Sequence, residues 1–177
     1  MTVVAAAVRG GKACIGCDSQ VSGSGLKGTT VGSKVVPVGP EGQPFGYVGI
    51  AGEAESLKWL RETPQPDSVS DWGDYLDALS NVLKEHAHPL FGSGTIYMAV
   101  TAKGIHTVVS DGVFEQSGSG KTQVHAIGSG GHVAVGSMAA EAQGLIQPSL
   151  DKMVRRAVQV ACDRAEGCGE PIHIFNL

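Results

Sequence analysis

Three polar residues border apolar runs of this sequence, and their types could perform nucleophilic catalysis. Thr2 precedes the run VVAAAV, Asp18 follows ACIGC, and Lys34 begins KVVPV. Removal of Met1 would give Thr2 a free α-amine, whose ordinary pKa of about 7.7–8.0 suits a general base for the threonine hydroxyl. A buried lysine beside Thr2 would favour the deprotonated hydroxyl and the neutral amine.

The two charged residues also have a purely structural interpretation. A lone carboxylate or ammonium is costly to bury, whereas an Asp18–Lys34 pair is tolerable. Alternatively, Asp18 starts a turn and Lys34 is an exposed residue at a strand edge. The residue types alone leave these two interpretations open.

Other motifs carry weaker signals for function. The stretch 118–122 (GSGKT) ends like a phosphate-binding loop, but Glu115 stands where that pattern requires glycine and a strand is predicted to follow, so a hairpin turn is favoured. The glycine loop at 128–131 could bind an anion through backbone N–H groups, although such loops are more often structural. The six histidines are scattered and belong to no catalytic motif, which favours surface or packing roles.

The four cysteines form no convincing metal or redox motif. Cys14 and Cys17 form a CxxC, but they lie within a predicted strand, and Cys162 and Cys168 are far downstream. A buried cysteine behaves as a small apolar residue. The pattern therefore favours packing over metal binding or redox chemistry.

Composition and charge argue against several classes of protein. The 177 residues suit a single domain over 1–177, and 42% apolar residues are enough for an ordinary core. The net charge of −4 argues against nucleic acid or an anionic membrane as a partner. No secretory signal or membrane-spanning run is recognised, so the expected location is the cytoplasm.

The elements that must position these residues are strand pairs with helix pairs between them. Strands are predicted over VVAAAV, ACIGC, KVVPV, FGYVGIAG, TIYMAVT, HTVVS, QVHAI and PIHIFNL. Helices are predicted over 54–61, from 67–70 onward, over 132–147 and over 148–166, while 19–33 is predicted as a polar loop. This pattern predicts an α+β layered fold with helices on sheet surfaces.

Taken together, these residues resemble the proteasome β-type N-terminal-nucleophile (Ntn) hydrolases. In that family the catalytic aspartate and lysine follow the threonine by 16 and 32 residues, as Asp18 and Lys34 follow Thr2 here. The stretches TVVAAAVRGGKACIGCDSQ, LKGTTVGSK, VGIAG and AIGSGG match as well. The resemblance covers nearly the whole chain and implies a four-layer αββα sandwich.

The resemblance assigns catalytic roles to individual residues. It implies that Thr2 is the nucleophile and its amine the base, that Lys34 tunes their pKa, and that Asp18 pairs with Lys34. Ser129 would hydrogen-bond near the amine and help to move its proton. The backbone N–H of Gly52 would stabilise the oxyanion of the tetrahedral intermediate.

The resemblance also implies a cleft for a polypeptide substrate. An extended peptide would lie along the strand from Val48 to Gly52 by β-addition. Val21, Val36 and Gly49 would line the first specificity pocket, which suggests a preference for apolar side chains.

Departures from the proteasome pattern favour the HslV-type branch. Ala165 and Cys168 stand where the proteasome has an aspartate and a serine, and HslV-type peptidases also lack that aspartate. The insertion GPEGQP and residues 63–93 differ from HslV, which makes the betaproteobacterial proteasome homologues the nearest group. In HslV the corresponding loop holds a monovalent cation, so the carbonyls of Cys162, Ala165 and Cys168 are candidate Na+ ligands. No other cofactor is implied.

The resemblance thus implies a threonine endopeptidase that cleaves polypeptides inside a homo-oligomeric double ring. Rings of seven subunits are favoured over rings of six, and a partner unfoldase ATPase is not identified. Two alternatives stay open: an Ntn amidohydrolase that acts on a small amide, and a non-catalytic ring subunit that retains Met1.

Overall fold

A computed structural model of the chain describes residues 2–23, 26–30, 32–53, 55–90, 94–116, 121–164 and 168–177, with the backbone alone at 21–23 and 26–30. The strands in these ranges are β1 (Val4–Arg9), β2 (Lys12–Cys17), β3 (Gln20–Gly23), β4 (Leu26–Thr30), β5 (Val35–Val38), β6 (Gly46–Ala51), β7 (Ile96–Thr101), β8 (Gly104–Val109), β9 (Gly112–Glu115), β10 (Thr122–Ile127) and β11 (His173–Asn176). The helices are α1 (Ser56–Glu62), α2 (Trp72–Glu85), α3 (Gly131–Ala142) and α4 (Leu150–Arg164), and a 3-10 turn over Val69–Asp71 precedes α2. No helix among these residues combines the length and apolar character needed to cross a membrane.

The strands form two antiparallel sheets. The first has the order β10-β1-β2-β11, the second has the order β5-β6-β7-β8-β9, and β3 pairs with β4 as a separate hairpin. In the first sheet, Val4 of β1 pairs with Ile127 of β10 and with Cys17 of β2. The beginning of β1 therefore lies beside the ends of both β2 and β10.

Three groups of buried apolar side chains separate four layers. Alternate residues of β1, such as Ala5 and Ala7, pack against α3 and α4. The intervening residues, such as Val4 and Ala6, pack between the two sheets. A third group, which includes Leu79 of α2, lies between the second sheet and the helices α1 and α2. The predicted αββα sandwich is confirmed.

Most predicted elements are confirmed, with ends displaced by a few residues. The predicted helix over 54–61 is Ser56–Glu62 in the structure, and Ala54 lies outside the described residues. The predicted break at Pro148 separates α3 from α4. The hairpin turn predicted at 118–122 falls largely on residues 117–120, which lie outside the described residues, and β10 contains the predicted strand QVHAI.

Two segments of the chain differ from the sequence predictions. The polar stretch 19–33 contains the hairpin β3–β4, and β9 is a further strand that pairs with β8. Neither segment has the apolar alternation that marks a half-buried strand. Strand formation depends strongly on neighbouring strands, so pairing gives these segments an extended conformation that their residue types do not indicate.

The CxxC cysteines lie on opposite faces of β2. Cys14 packs in the layer beneath α3 and α4, whereas Cys17 packs between the sheets. Residues three apart on a strand point in opposite directions, so these two thiols cannot bind one metal ion or form a redox pair. Burial raises the pKa of Cys14 to about 12 and also raises the pKa of Cys17, as expected for packing residues.

Candidate active site

The candidate catalytic residues meet at one edge of the sandwich. Thr2 lies just before β1, Asp18 just after β2, and Ser129 shortly after β10. The register of the first sheet places these three strand ends side by side. Lys34 precedes β5 in the second sheet, where its carbonyl accepts a hydrogen bond from the Ile50 N–H at 3.0 Å. The four residues thus come from both sheets.

Lys34 joins the candidate nucleophile to the candidate carboxylate. Its Nζ lies 2.7 Å from Asp18 Oδ1, 3.2 Å from Thr2 Oγ1 and 2.6 Å from the carbonyl oxygen of Gln20. The three contacts use all three protons of the ammonium group. The Lys34 side chain is 10% exposed and that of Asp18 is fully buried. The predicted ion pair is present, and the alternative of an exposed lysine at a strand edge is wrong.

Backbone donors surround the Asp18 carboxylate. Oδ1 accepts a hydrogen bond from the Val3 N–H at 2.9 Å, and Oδ2 accepts from the N–H groups of Gln20 at 3.1 Å and Gly169 at 3.4 Å. A buried ion pair is tolerated only when further hydrogen bonds satisfy its remaining lone pairs. These donors supply them, so a negative Asp18 and a positive Lys34 are held beside the Thr2 hydroxyl.

The loop after β10 holds the backbone of Thr2. Thr2 N donates to Ser129 Oγ at 3.3 Å, and the Gly130 N–H donates to the Thr2 carbonyl at 3.3 Å. Gly128 has φ +88°, and a Cβ there would lie 2.2 Å from the Thr2 carbonyl oxygen, so glycine is required. Thr2 N is here the peptide nitrogen bonded to Met1, which lies outside the described residues. After removal of Met1, the same atom would be the α-amine.

Gly52 lies where β6 ends and the backbone turns away. It is exposed, and its φ of +138° is a conformation that residues with a side chain rarely adopt. Successive N–H groups of a strand alternate between its two edges. Because the Ile50 N–H faces Lys34, the Gly52 N–H faces the same side, where no strand of the described part of the chain pairs with it. This N–H is thus available to an oxygen atom near Lys34 and Thr2.

The structure corrects the predicted substrate strand. Residues Gly46–Gly49 of β6 pair with β5 on one edge and with β7 on the other, so a peptide cannot add to this strand at Val48. The Val48 side chain is also fully buried. Among the described residues of β6 and its continuation, only Ala51 and Gly52 lack a paired strand on the Lys34 side.

The predicted pocket residues have different positions. Gly49 faces the interior between the sheets, where a Cβ would lie 2.4 Å from Val4 Cγ1, so it does not line a pocket. That prediction is wrong because β6 turns this face toward β1. Val36 is half-buried and packs with the layer beneath α1 and α2. The side chain of Val21 lies outside the described residues.

The proposed cation loop follows α4. Cys162 lies in the last turn of α4, and its thiol is hydrogen-bonded to the thiol of the buried Cys168. This bond raises the pKa of Cys162 and lowers that of Cys168. Ala165 lies outside the described residues. The side chains that the structure describes include no cluster of three or more His, Cys, Asp or Glu that could hold a metal ion. A site made of backbone carbonyls stays a prediction.

Some groups around the site have no signature in the sequence. The Gln20 carbonyl and the Gly169 N–H are backbone groups: every residue has the carbonyl, and every residue but proline has the N–H. Thr95 accepts a hydrogen bond from the Glu53 N–H, next to Gly52. Its position just before an apolar strand was the only available signal, and many threonines share it.

The chain was compared with known proteins. No protein-family model matches it, and no curated protein matches it. Thiobacillus denitrificans BPH is 25% identical, with a TM-score of 0.72 over 99% of this chain and 97% of that chain. The same protein in complex with epoxomicin is 25% identical, with a TM-score of 0.74 over 99% and 98%.

A eukaryotic HslV from Trypanosoma brucei is 18% identical, with a TM-score of 0.72 over 99% of each chain, and supports the fold alone. These likenesses agree with the resemblance drawn from the residues. The chain therefore has the αββα Ntn fold of proteasome β-type and HslV-like proteins, and its structural neighbours are a betaproteobacterial proteasome homologue and an HslV.

Proposed function

We propose that this protein is a threonine endopeptidase in which Thr2, after removal of Met1, is the nucleophile. One observation carries the proposal: Lys34 Nζ lies 3.2 Å from Thr2 Oγ1 and 2.7 Å from Asp18 Oδ1 in a buried pair. An ion pair with a purely structural role would not need a hydroxyl group within hydrogen-bond distance of the lysine, as Thr2 Oγ1 is here. The complex of Thiobacillus denitrificans BPH with epoxomicin, a proteasome inhibitor, further supports proteasome-type protease activity.

The reaction begins with attack by Thr2 Oγ1 on the carbonyl carbon of the scissile peptide. The hydroxyl proton passes to the α-amine as the new C–O bond forms, and the carbonyl electron pair moves onto oxygen. The Gly52 N–H donates to this oxyanion. Collapse of the intermediate breaks the C–N bond, and the leaving amine takes the proton from the Thr2 ammonium. Water then hydrolyses the ester, with the α-amine again as the base.

Each surrounding group has a distinct part in these steps. The positive charge of Lys34 favours the alkoxide form of Thr2 and opposes protonation of the amine beside it. Asp18 holds Lys34 in place through the 2.7 Å contact. Ser129 Oγ, 3.3 Å from Thr2 N, orients the amine and relays its proton. These roles divide the site into a buried charged side and an exposed side that receives the peptide.

The proposal extends to assembly and location. The likeness to HslV and BPH supports self-association, and a double ring of fourteen subunits is proposed over one of twelve, with polypeptides cleaved inside it. The four free cysteines are consistent with the cytoplasm, where thiols stay reduced.

A structural Na+ is also proposed at the end of α4. The last carbonyls of a helix lack helical donors, and hard cations bind oxygen ligands, so the Cys162 carbonyl in the last turn of α4 suits this role. The carbonyls of Ala165 and Cys168 are the further ligands that the resemblance implies. The ion would brace the loop and enter none of the steps above.

The test is the intact mass of the purified protein before and after an α′,β′-epoxyketone peptide. This reagent requires both the hydroxyl and the free amine of an N-terminal nucleophile. We expect a mass without Met1 that gains one inhibitor, and no gain for Thr2→Ala. Thr2→Ser, which keeps both groups, should still react.

A retained Met1 with no adduct would overturn the proposal. A mass without Met1 that gains inhibitor, but with hydrolysis only of small amides and none of an unfolded protein such as casein, would instead favour the amidohydrolase alternative.

A further inference from the structure

The turn after Gly52 rests directly on the beginning of β7. A Cβ at Gly52 would lie 2.5 Å from Thr95 Cα and 2.6 Å from both Thr95 Oγ1 and the Gly94 carbonyl oxygen. Thr95 is 2% exposed, and its Oγ1 accepts a hydrogen bond from the Glu53 N–H at 3.2 Å. The Gly52–Glu53 peptide is therefore hydrogen-bonded to a buried threonine, whose backbone lies where a side chain at Gly52 would be.

This contact continues the ladder between β6 and β7 beyond its last pair. Ala51 pairs with Ile96, after which the φ of +138° at Gly52 takes the backbone out of the sheet. Thr95 immediately precedes Ile96, and its hydroxyl provides the acceptor that a backbone carbonyl provides within the ladder. Glycine has the widest choice of backbone conformations, so the direction of the Gly52 N–H depends on such external supports.

We propose that Thr95 is a positioning residue for the oxyanion-binding N–H of Gly52. Its hydroxyl fixes the Gly52–Glu53 peptide, and its main chain fills the space where a side chain at Gly52 would lie. This proposal rests on the proposed peptidase function. It adds a residue that does not touch the substrate but sets the geometry of a group that does.

Thr95→Val tests the proposal, since valine keeps the shape of threonine and removes the acceptor. Misplacement of an oxyanion donor by a fraction of an ångström is expected to lower kcat about 10–100-fold. KM for a fluorogenic peptide should change less than about threefold, because the N–H acts mainly on the transition state. Affinity for a peptide aldehyde, which forms a tetrahedral adduct at the same site, should fall with kcat/KM. Thr95→Ser should restore kcat.

Thr101→Val is the matched control. Thr101 is a buried threonine at the other end of β7, and its Oγ1 accepts the Lys103 N–H at 3.2 Å. Thr101→Val should leave kcat as in the wild type, and it should change the thermal midpoint of unfolding about as much as Thr95→Val does. If Thr95→Val does not fold, Thr95→Cys retains a weak acceptor and should lie between wild type and complete loss.

Several results would overturn the role of Thr95. These are a wild-type kcat in Thr95→Val or Thr95→Cys, an equal loss in Thr95→Ser, or an equal loss in Thr101→Val. Failure of the proposed function has a different signature, because the wild-type protein itself would then form no epoxyketone adduct and cleave no peptide.

Discussion

Two of the polar connections between the sheets of this protein differ in charge and in depth. One is the Asp18–Lys34 pair, which is almost completely buried. The other runs from Gln116 Nε2 to Thr107 Oγ1 at 3.0 Å and from Thr107 Oγ1 to His125 Nε2 at 3.2 Å. The residues of this second connection are half-buried. The connection is neutral because burial lowers the pKa of His125.

The difference lies in the backbone around each connection. Asp18 receives backbone N–H donors from three separate parts of the chain, and the Gln20 carbonyl completes the partners of Lys34. The His125 connection is made by side chains that bond to one another. A charged group is stable in a protein interior where backbone N–H and C=O dipoles point at it. Where they do not, buried polar side chains stay neutral and hydrogen-bond to one another. Only the first connection includes a hydroxyl beside a fixed cation.

Removal of the cation should have the largest effect. Lys34→Ala leaves Asp18 charged and unpaired, so we expect loss of epoxyketone labelling by at least about 10³-fold and a fall in the free energy of unfolding of about 3–5 kcal/mol. Labelling rates followed by intact mass and urea denaturation measure the two effects.

Lys58→Ala is the matched control for this change. Lys58 is 74% exposed and lies 3.7 Å from Glu62 on α1, so its removal should cost less than about 0.5 kcal/mol and leave labelling unchanged. Labelling of Lys34→Ala at the wild-type rate would mean that the buried pair is only structural.

The charged connection was predictable from the sequence, whereas the donors around it were not. Asp18 and Lys34 stand out because charged residues interrupt apolar strands at the spacing of a known family. Gly169 is 151 residues from Asp18 and contributes only its N–H, which no residue type marks. The neutral connection was missed for a related reason, since Thr107 and His125 are ordinary polar residues of half-buried strands and Gln116 directly follows β9.

The layered fold was predictable from strand and helix periodicity, but the order of strands was not. The expected addition of a peptide at Val48 failed because β6 lies between β5 and β7. Residue types give the propensity of a segment to be extended and say little about which edges remain open. For the same reason, the sequence did not predict β9 or the hairpin β3–β4, which are extended through pairing with neighbouring strands.

A smaller effect on catalysis is expected from a change at Ser129, on the exposed side of Thr2. Ser129→Ala removes the acceptor 3.3 Å from Thr2 N but leaves the Lys34 contacts in place. We expect kcat to fall about tenfold, equivalent to about 1.4 kcal/mol of activation free energy, with little change in urea denaturation.

Ser80→Ala is the appropriate comparison for Ser129→Ala. Ser80 Oγ donates to the Val109 carbonyl at 2.7 Å from α2, so its removal should reduce stability and spare kcat. Equal kcat values for Ser129→Ala and wild type would show that the loop supports the Thr2 backbone without assisting proton transfer.

We expect the neutral connection to affect the pH dependence of the free energy of unfolding and not catalysis. The pKa of His125 in the folded protein lies below its ordinary value of 6.5, because burial disfavours the charged form. Between the two values the unfolded chain binds more protons than the folded one, so the free energy of unfolding rises with pH in that window. The contribution is complete above about pH 6.5 and is lost as pH falls through the folded-state pKa.

His125→Gln removes this titration, and the stability of the variant should therefore fall less steeply than that of the wild type between pH 7.5 and pH 5. His106 will maintain part of the slope, since burial also lowers its pKa, opposed by Glu115. Urea denaturation of the wild type and of His125→Gln at a series of pH values measures the two slopes. An unchanged slope in His125→Gln would mean that the imidazole between the sheets is solvated enough to titrate as it does in the unfolded chain, and the contrast between the two connections would then be one of charge alone.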